Sequence, residues 1–294
     1  MDFTLNEEQV AIRDACRDFA EQEIRPRAEE MDCTGNFPYD LIRKMGELGL
    51  LGLPFPEEYG GAGADFLSYC LAIEEISRGD VSVGITMEAH TSLGASPFYL
   101  FGSKAQKEHY LTPLARGEQL WAFGLTEPEA GSDSGGTQTR AVLRDGNWHI
   151  NGSKSFITNA GTDMSGGVTI TAVTGRRSDG HNEITNIIVP RDTAGYIIGN
   201  PYKKWAGRPL IHAHSPSKIA PFQQKISWVS LGMVLSSSCR YLMPDASLLP
   251  RFPLDLPRPV LTKLLVMRKF VSSLANRSAH SRPRSSNLPI WIQT

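Results

Sequence analysis

Two hydrophobic periods divide this 294-residue chain, and they change over at Leu120. Before that point, apolar residues recur every three or four positions: Ile12, Cys16 and Phe19; Leu41, Met45 and Leu48; Phe66, Tyr69, Ile73 and Ile76. This spacing puts them on one helix face, and burial in a core is the simplest use of such a face. After Leu120, short apolar runs are separated by turn residues. Ala141-Val142-Leu143 and Trp148-His149-Ile150 flank Arg144-Asp145-Gly146-Asn147. Asp-Gly between two strand-like runs predicts a hairpin, because Gly takes the positive φ of a tight turn at no steric cost. Val168–Val173 and Ile187–Val189 predict further strands. The pattern predicts an α+β chain: an all-α domain over residues 1–118, then a β domain that begins near residue 119.

Local signals set the expected helix limits. Thr4-Leu5-Asn6-Glu7 has the spacing of a capping box and predicts a helix over Glu7–Glu30. Pro38 opens a second helix that ends near Gly49. Leu53 to Gly61 is dense in Pro, Glu and Gly and predicts a loop. Phe66 to Ile76 marks a third helix and Ser82 to Leu93 a fourth. Ser103 caps a short helix that Pro113 should end.

Composition excludes several classes. A hydrophobic content of 40 % and a net charge of −1 do not suggest a nucleic-acid or membrane surface. No run approaches the ~18 apolar residues of a spanning helix. Met1-Asp2-Phe3-Thr4 has no basic or apolar leader pattern, so no targeting segment is visible. Cys16, Cys33, Cys70 and Cys239 lack metal-ligand spacing, so no metal is expected and reduced thiols are. The expected compartment is cytoplasmic, or the mitochondrial matrix. The average hides a split, however. Residues 1–204 carry 18 Lys and Arg against 29 Asp and Glu, a net of −11. Residues 205–294 carry 12 against 2, a net of +10, with no Glu, 14 Ser and 10 Pro. Such a stretch is either a basic interaction arm or a segment not selected for folding.

One stretch carries chemistry: Phe123-Gly124-Leu125-Thr126-Glu127-Pro128-Glu129-Ala130-Gly131-Ser132-Asp133. Ala130 and Gly131 let the backbone approach a ligand, and the amides with the Thr126 and Ser132 hydroxyls supply donors. An isoalloxazine ring offers acceptors that such a loop could hold. A Gly/Ser/Asp loop can equally be a plain surface turn.

The stretch resembles the "(Y/F)xxTEPxAGSD" signature of the acyl-CoA dehydrogenases. Asn151-Gly152-Ser153-Lys154-Ser155-Phe156-Ile157-Thr158-Asn159-Ala160 is similar to their "NGxKxxITNG" strand. Pro54 to Gly61 and Gly102 to Lys107 match too, and the register runs from about Phe3 to Lys204. The short- and medium-chain members, butyryl-CoA dehydrogenase among them, are the nearest in pattern. The resemblance implies an N-terminal all-α domain followed by a β-barrel or sandwich domain, with FAD as cofactor. It implies that Phe123, Leu125, Thr126, Phe156, Ile157 and Thr158 contact the flavin, and that Ser132 lies near both the pyrophosphate and the acyl-CoA. Phe156 would lie against the ring, where Trp is commoner. It implies α,β-dehydrogenation of an acyl-CoA thioester, with electrons passed to an electron-transferring flavoprotein. The family takes its base from elsewhere, so Glu127 and Asp133 are not expected to be catalytic. His90, His109 and His149 are expected to be satisfied or exposed rather than catalytic.

After Lys204 the pattern stops. The family expects "MGW", a strand ending "FxxxxVP", and a C-terminal helical bundle with the catalytic Glu and an "RxxFGxPI" segment. Trp205-Ala206-Gly207-Arg208-Pro209 stands there instead. No residue of this chain is therefore assigned as base. An out-of-frame translation accounts for the change. Codons for Lys204 to Arg208, with one adenine restored, can give "KMGWQ", which the neighbouring codons extend to "KKMGWQA". Those for His214 to Leu231, read one base earlier, can give "AFTFEDCAVPAENLLGEL". Those for Val266 to Ser281 can give "YAKVRQQFGQPISAF". Met and Trp have single codons, so three family segments in one constant frame are hard to obtain by luck. The expected organisation is a helical domain over 1–118, a truncated β domain over 119–204 and an aberrant, poorly ordered tail over 205–294, with the C-terminal bundle missing. The family's homotetramer is in doubt here for the same reason. The rival readings are a flavin monooxygenase or nitroalkane oxidase on the same fold, a non-catalytic flavin- or acyl-CoA-binding remnant, and a protein with a basic arm.

Overall fold

A computed structural model of the chain describes residues 4–215 and 221–223, all within one compact unit, Met1–Cys239. The tail expected over 205–294 otherwise lies outside the described residues.

The first half is helical. Helix α1 spans Glu7–Phe19 and α2 spans Ala28–Thr34, joined without a break through Ala20–Ile24 and Arg25–Arg27. The helical run thus passes the expected end at Glu30. Its cap also differs from the expected Thr4–Glu7 box. Asn6 is the N-cap: its side chain accepts from the Gln9 amide at 2.8 Å, and Gln9 Oε1 accepts from the Asn6 amide at 3.1 Å. Asn6 and Gln9 have the same three-residue spacing, and the amide caps as well as a hydroxyl does. Helix α3 spans Tyr39–Glu47 behind Pro38, and Gly49 turns the chain with φ +72°. Helix α4 spans Phe66–Gly79 and α5 spans Val81–Glu88, capped by Asp65 and Asp80. Helix α6 spans Ser96–Phe101, α7 Lys104–Gln106 and α8 Thr112–Ala115. Ser103 and Gln106 form the expected cap.

Pro113 does not end its helix, contrary to expectation. The reason recurs three times. Widened π-type turns occupy Ala20–Ile24, Ala89–Ala95 and Lys107–Leu111, and Pro26, Pro97 and Pro113 each follow two residues after one. A proline ring clashes with the preceding turn of a regular α-helix. The wider turn makes room for it, so the run continues.

The second half is a sheet domain. Its strands are β1 (Leu120–Gly124), β2 (Arg140–Arg144), β3 (Asn147–Asn151), β4 (Lys154–Thr158), β5 (Ser165–Arg176), β6 (Asn182–Pro190), β7 (His212–Ser215) and β8 (Pro221–Gln223). The main sheet runs β1-β5-β2-β3-β8, and β6 pairs antiparallel along β5. Strands β4 and β7 form a separate ladder. Ile157 of β4 is buried with Ala122, Val168 and Ile170 of the main sheet, so the ladder lies over that sheet as a second layer. The β2–β3 turn has Asp145 at φ +50° and Gly146 at φ +76°, the hairpin expected from Asp-Gly. Pairing continues past Lys204: β7 lies against β4, the Asn159 amide donates to the Ile211 carbonyl at 3.1 Å, and Leu210 is buried.

The two halves share a core. Phe98 and Tyr110 meet the Trp121 ring edge-on, with centroids 5.1 and 5.5 Å away. A Cβ at Gly94 would lie 2.5 Å from the Trp121 carbonyl, so the helical run there touches β1 directly. His90, fully buried, joins the halves. The Trp121 amide donates to its Nδ1 at 3.2 Å, so its Nε2 carries the proton and meets the Leu114 carbonyl at 3.1 Å. Burial pushes this imidazole down to about 4, although the Leu114 bond opposes the shift. It is a satisfied histidine, as expected.

Because the native state holds His90 neutral, protonation favours the unfolded chain. The group's contribution is intact above pH 6.5 and is lost as pH falls towards 4, on the order of 3 kcal/mol in all. Thermal unfolding of the parent and of His90→Gln between pH 7 and pH 4.5 measures this. The variant is expected to lose less stability on acidification; equal losses would contradict it.

Candidate functional site

The two motif segments come together because β1 and β4 are neighbours. The loop after β1 is tied to β4 at two points. The Ser155 amide donates to the Thr126 carbonyl at 2.8 Å, and Lys154 Nζ donates to the Leu125 carbonyl at 3.1 Å. The loop closes on itself through a reciprocal pair of main-chain bonds between Glu127 and Ala130, of 2.8 and 3.2 Å. Pro128 and Glu129 fill the tight turn between them and are exposed.

Beneath the loop lies a buried ion pair. Lys154 Nζ donates to Glu127 Oε1 at 2.7 Å, and both side chains are about 5 % exposed or less. The Glu127 carboxylate also accepts the Gln138 amide at 2.7 Å and the Thr139 amide at 3.1 Å. Burial alone would raise this carboxyl, but the bonds from Lys154, Thr139 and Gln138 outweigh it and hold it below its ordinary value. Burial lowers the Lys154 ammonium, with Glu127 opposing. The pair stays charged, and Glu127 is occupied in holding the loop.

The expected site residues fall in different places. Phe123, Leu125, Thr126 and Thr158 are half-buried, and Ser132 is exposed on the outer limb of the loop. The Thr126 and Thr158 hydroxyls take no partner among the described residues. Nothing lies within 4 Å of a Cβ built on Gly131, so the loop faces open space there. Phe156 is 58 % exposed and sits at φ +59°. Left-handed backbone at a bulky residue costs about 1–3 kcal/mol and is retained only where the surroundings impose it. Here a bulge in the β4–β7 ladder imposes it, between Lys154 and Ile157. The bulge turns the ring outward, while Ser155 and Ile157 are buried on either side. Ile157 is therefore a core residue, buried and paired in the ladder with Ala213.

Three contributors were not singled out from the sequence. Tyr202 stacks on Phe156 with centroids 4.8 Å apart and planes 27° apart. Lys154 carried no separate signal, since its partners lie 27 residues back and 17 ahead. Asn159 sits at φ +69°, fully buried, with Nδ2 on the Thr86 carbonyl at 3.1 Å. A half-exposed aromatic ring, free hydroxyl donors and an open glycine together fit one face of a flat heterocycle edged with acceptors, such as a flavin.

Comparison with known proteins agrees with this geometry. Residues 6–118 match the family model described as acyl-CoA dehydrogenase, N-terminal domain, and residues 122–215 match acyl-CoA dehydrogenase, middle domain. The protein named "Probable acyl-CoA dehydrogenase YngJ" of Bacillus subtilis (strain 168) is 52% identical over 208 residues, 71% of this chain and 54% of that protein. The chain spans about half the length of the curated relatives it matches. The structure is similar to butyryl-CoA dehydrogenase from Megasphaera elsdenii, with a TM-score of 0.77 at 31% identity, over 95% of this chain and 77% of that one. It is also similar to acyl-CoA dehydrogenase complexed with FAD from Bacillus anthracis, with a TM-score of 0.72 at 32% identity, over 81% of this chain and 41% of that one.

Phe156→Gly separates strain from packing. Gly relieves the left-handed backbone, while the loss of the Tyr202 stack costs about 0.5–1.5 kcal/mol. Thermal unfolding is expected to show a net change within about 1 kcal/mol, against the 3–5 kcal/mol of losing a core phenylalanine. A loss of that larger size would mean that the ring is part of the core.

Proposed function

The chain belongs to the acyl-CoA dehydrogenase family, and from that premise we propose that its described residues form the flavin- and substrate-holding half of an FAD-dependent enzyme acting on acyl-CoA thioesters. The observation that carries the reading is the outward, left-handed Phe156 ring beside the β1 loop, with the Thr126 and Thr158 hydroxyls without a partner among the described residues. When bound, FAD supplies the acceptor for the hydride that leaves the substrate's β carbon. The chain's own residues do the rest. Phe156 offers a ring face, Thr126 and Thr158 offer donors to the heterocycle's edge, and Ser132 stands at the exposed limb for the pyrophosphate and the acyl-CoA. An electron-transferring flavoprotein is the proposed electron acceptor, and a reducing cytoplasmic or matrix compartment the proposed location.

The same proposal includes the tail. The family resemblance places the base for the α proton on a Glu of the C-terminal bundle. Glu127 is occupied by Lys154, and residues 205–294 contain two aspartates but no glutamate. We propose that this stretch is read out of frame and that the chain as written does not turn over acyl-CoA. The flavin monooxygenase and nitroalkane oxidase readings have no observation in their favour.

Two proteins test this side by side: the chain as written, and one expressed from DNA with one adenine restored at the codons for Lys204 and Trp205. The restored protein is expected to carry FAD, seen by its visible absorption, and to oxidise a short acyl-CoA. The chain as written is expected to be slower by about 10²–10⁴-fold or more, the scale of a lost general base. Equal rates would contradict the frame proposal. A restored protein with no flavin would contradict the site.

A further inference from the structure

Lys154 is placed to hold three segments at once. Its stem packs beneath β1, where a Cβ on Gly124 would lie 3.3 Å from Lys154 Cγ. Its ammonium meets the Leu125 carbonyl at 3.1 Å, Glu127 Oε1 at 2.7 Å and Thr171 Oγ1 at 2.9 Å. Those are three acceptors for three N–H donors. They belong to the end of β1, the loop and β5. Glu127 extends the link through the Gln138 and Thr139 amides to the segment after the loop. Stability does not call for such a pair, because well-packed apolar residues of similar volume do as well as or better than buried charges. What an apolar pair lacks is direction. The bonds fix the Leu125 carbonyl and the Glu127 side chain, and between them lies Thr126, whose hydroxyl has no partner among the described residues. The residue after Lys154 anchors the Thr126 carbonyl through its amide, and the next is Phe156 at the bulge.

Resting on the flavin site proposed above, we propose that Lys154 and Glu127 are positioning residues: their ion pair holds the Leu125–Ser132 loop in register with the Phe156 bulge, so that Thr126 and the ring face one ligand together. The pair touches no ligand itself. It acts through the loop, and its effect on binding exceeds its effect on folding.

The test uses the full chain and the double variant Lys154→Met/Glu127→Gln, which removes both charges and leaves neither alone. Three quantities are read: thermal unfolding, hydrogen exchange of the Gln138, Thr139 and Ser155 amides, and binding of added FAD by fluorescence with the absorption bands of the bound flavin. The expected result is a melting temperature close to that of the parent, exchange at those amides at least tenfold faster, and FAD bound at least tenfold more weakly with shifted bands. Lys154→Arg is expected to recover part of the affinity. Unchanged exchange and unchanged bands in a folded double variant would overturn the proposal. If the double variant does not fold, Thr171→Val removes only the third Lys154 bond. It is expected to leave the protein folded with a lower melting temperature and to weaken FAD binding several-fold, and unchanged FAD binding in the folded variant would overturn the proposal. A parent that is folded and protected at those amides but takes up no FAD overturns the flavin reading, and the positioning role with it. Loss of positioning alone leaves that reading standing.

Discussion

The site depends on one buried ammonium. Lys154 gives its three donors to the end of β1, to the loop carboxylate and to β5. Around it the protein arranges a self-closed turn at Glu127 and Ala130, a bulge that turns Phe156 outward, and two threonine hydroxyls without a partner among the described residues. Each of these has a local cost. The left-handed Phe156 and the dehydrated charges are both unfavourable alone. They are held by a buried joint between helices and sheet: the Trp121 amide donates to His90, and Asn159 Nδ2 to the Thr86 carbonyl.

Much of the architecture was legible because hydrophobic period reports which face is buried. The change at Leu120, the Asp145-Gly146 turn and the β5 and β6 runs all became the expected elements. Less legible was what depends on a non-standard turn. Pro113 reads as a stop, and only the π-type turn before it lets the helical run continue to Ala115. The cap at Asn6 rather than Thr4 is a shift of two residues between equally plausible spacings. For the site, the motifs located the loop and the strand and contain both Glu127 and Lys154, but do not show that these two side chains pair. Lys154 and Thr171 are 17 residues apart, and nothing local marks their meeting. Ile157 belongs to the same motif as Phe156, yet the bulge puts one in the core and the other outside.

The final third of the chain gives the account its unusual shape. Up to Lys204 the chain follows the family's N-terminal and middle domains, matched over residues 6–118 and 122–215. Just beyond it, Trp205 is 97 % exposed, whereas Leu210 is buried. The charge balance reverses and Glu disappears, and codons can be chosen for this stretch that give family segments in another frame. A chain whose first part holds a flavin and whose last part is translated out of register would keep binding groups while losing the chemistry they serve.

The central claim is tested most directly by sequencing the DNA across the codons for Tyr202 to Ala206 and onward through those for Ser281. The account predicts that, one base out of the written frame, this DNA encodes the family's C-terminal segments, "RxxFGxPI" included. An additional adenine at the codons for Lys204 and Trp205 would put them in frame. DNA that encodes those segments in neither frame would contradict the account, and residues 205–294 would then be a structure in their own right.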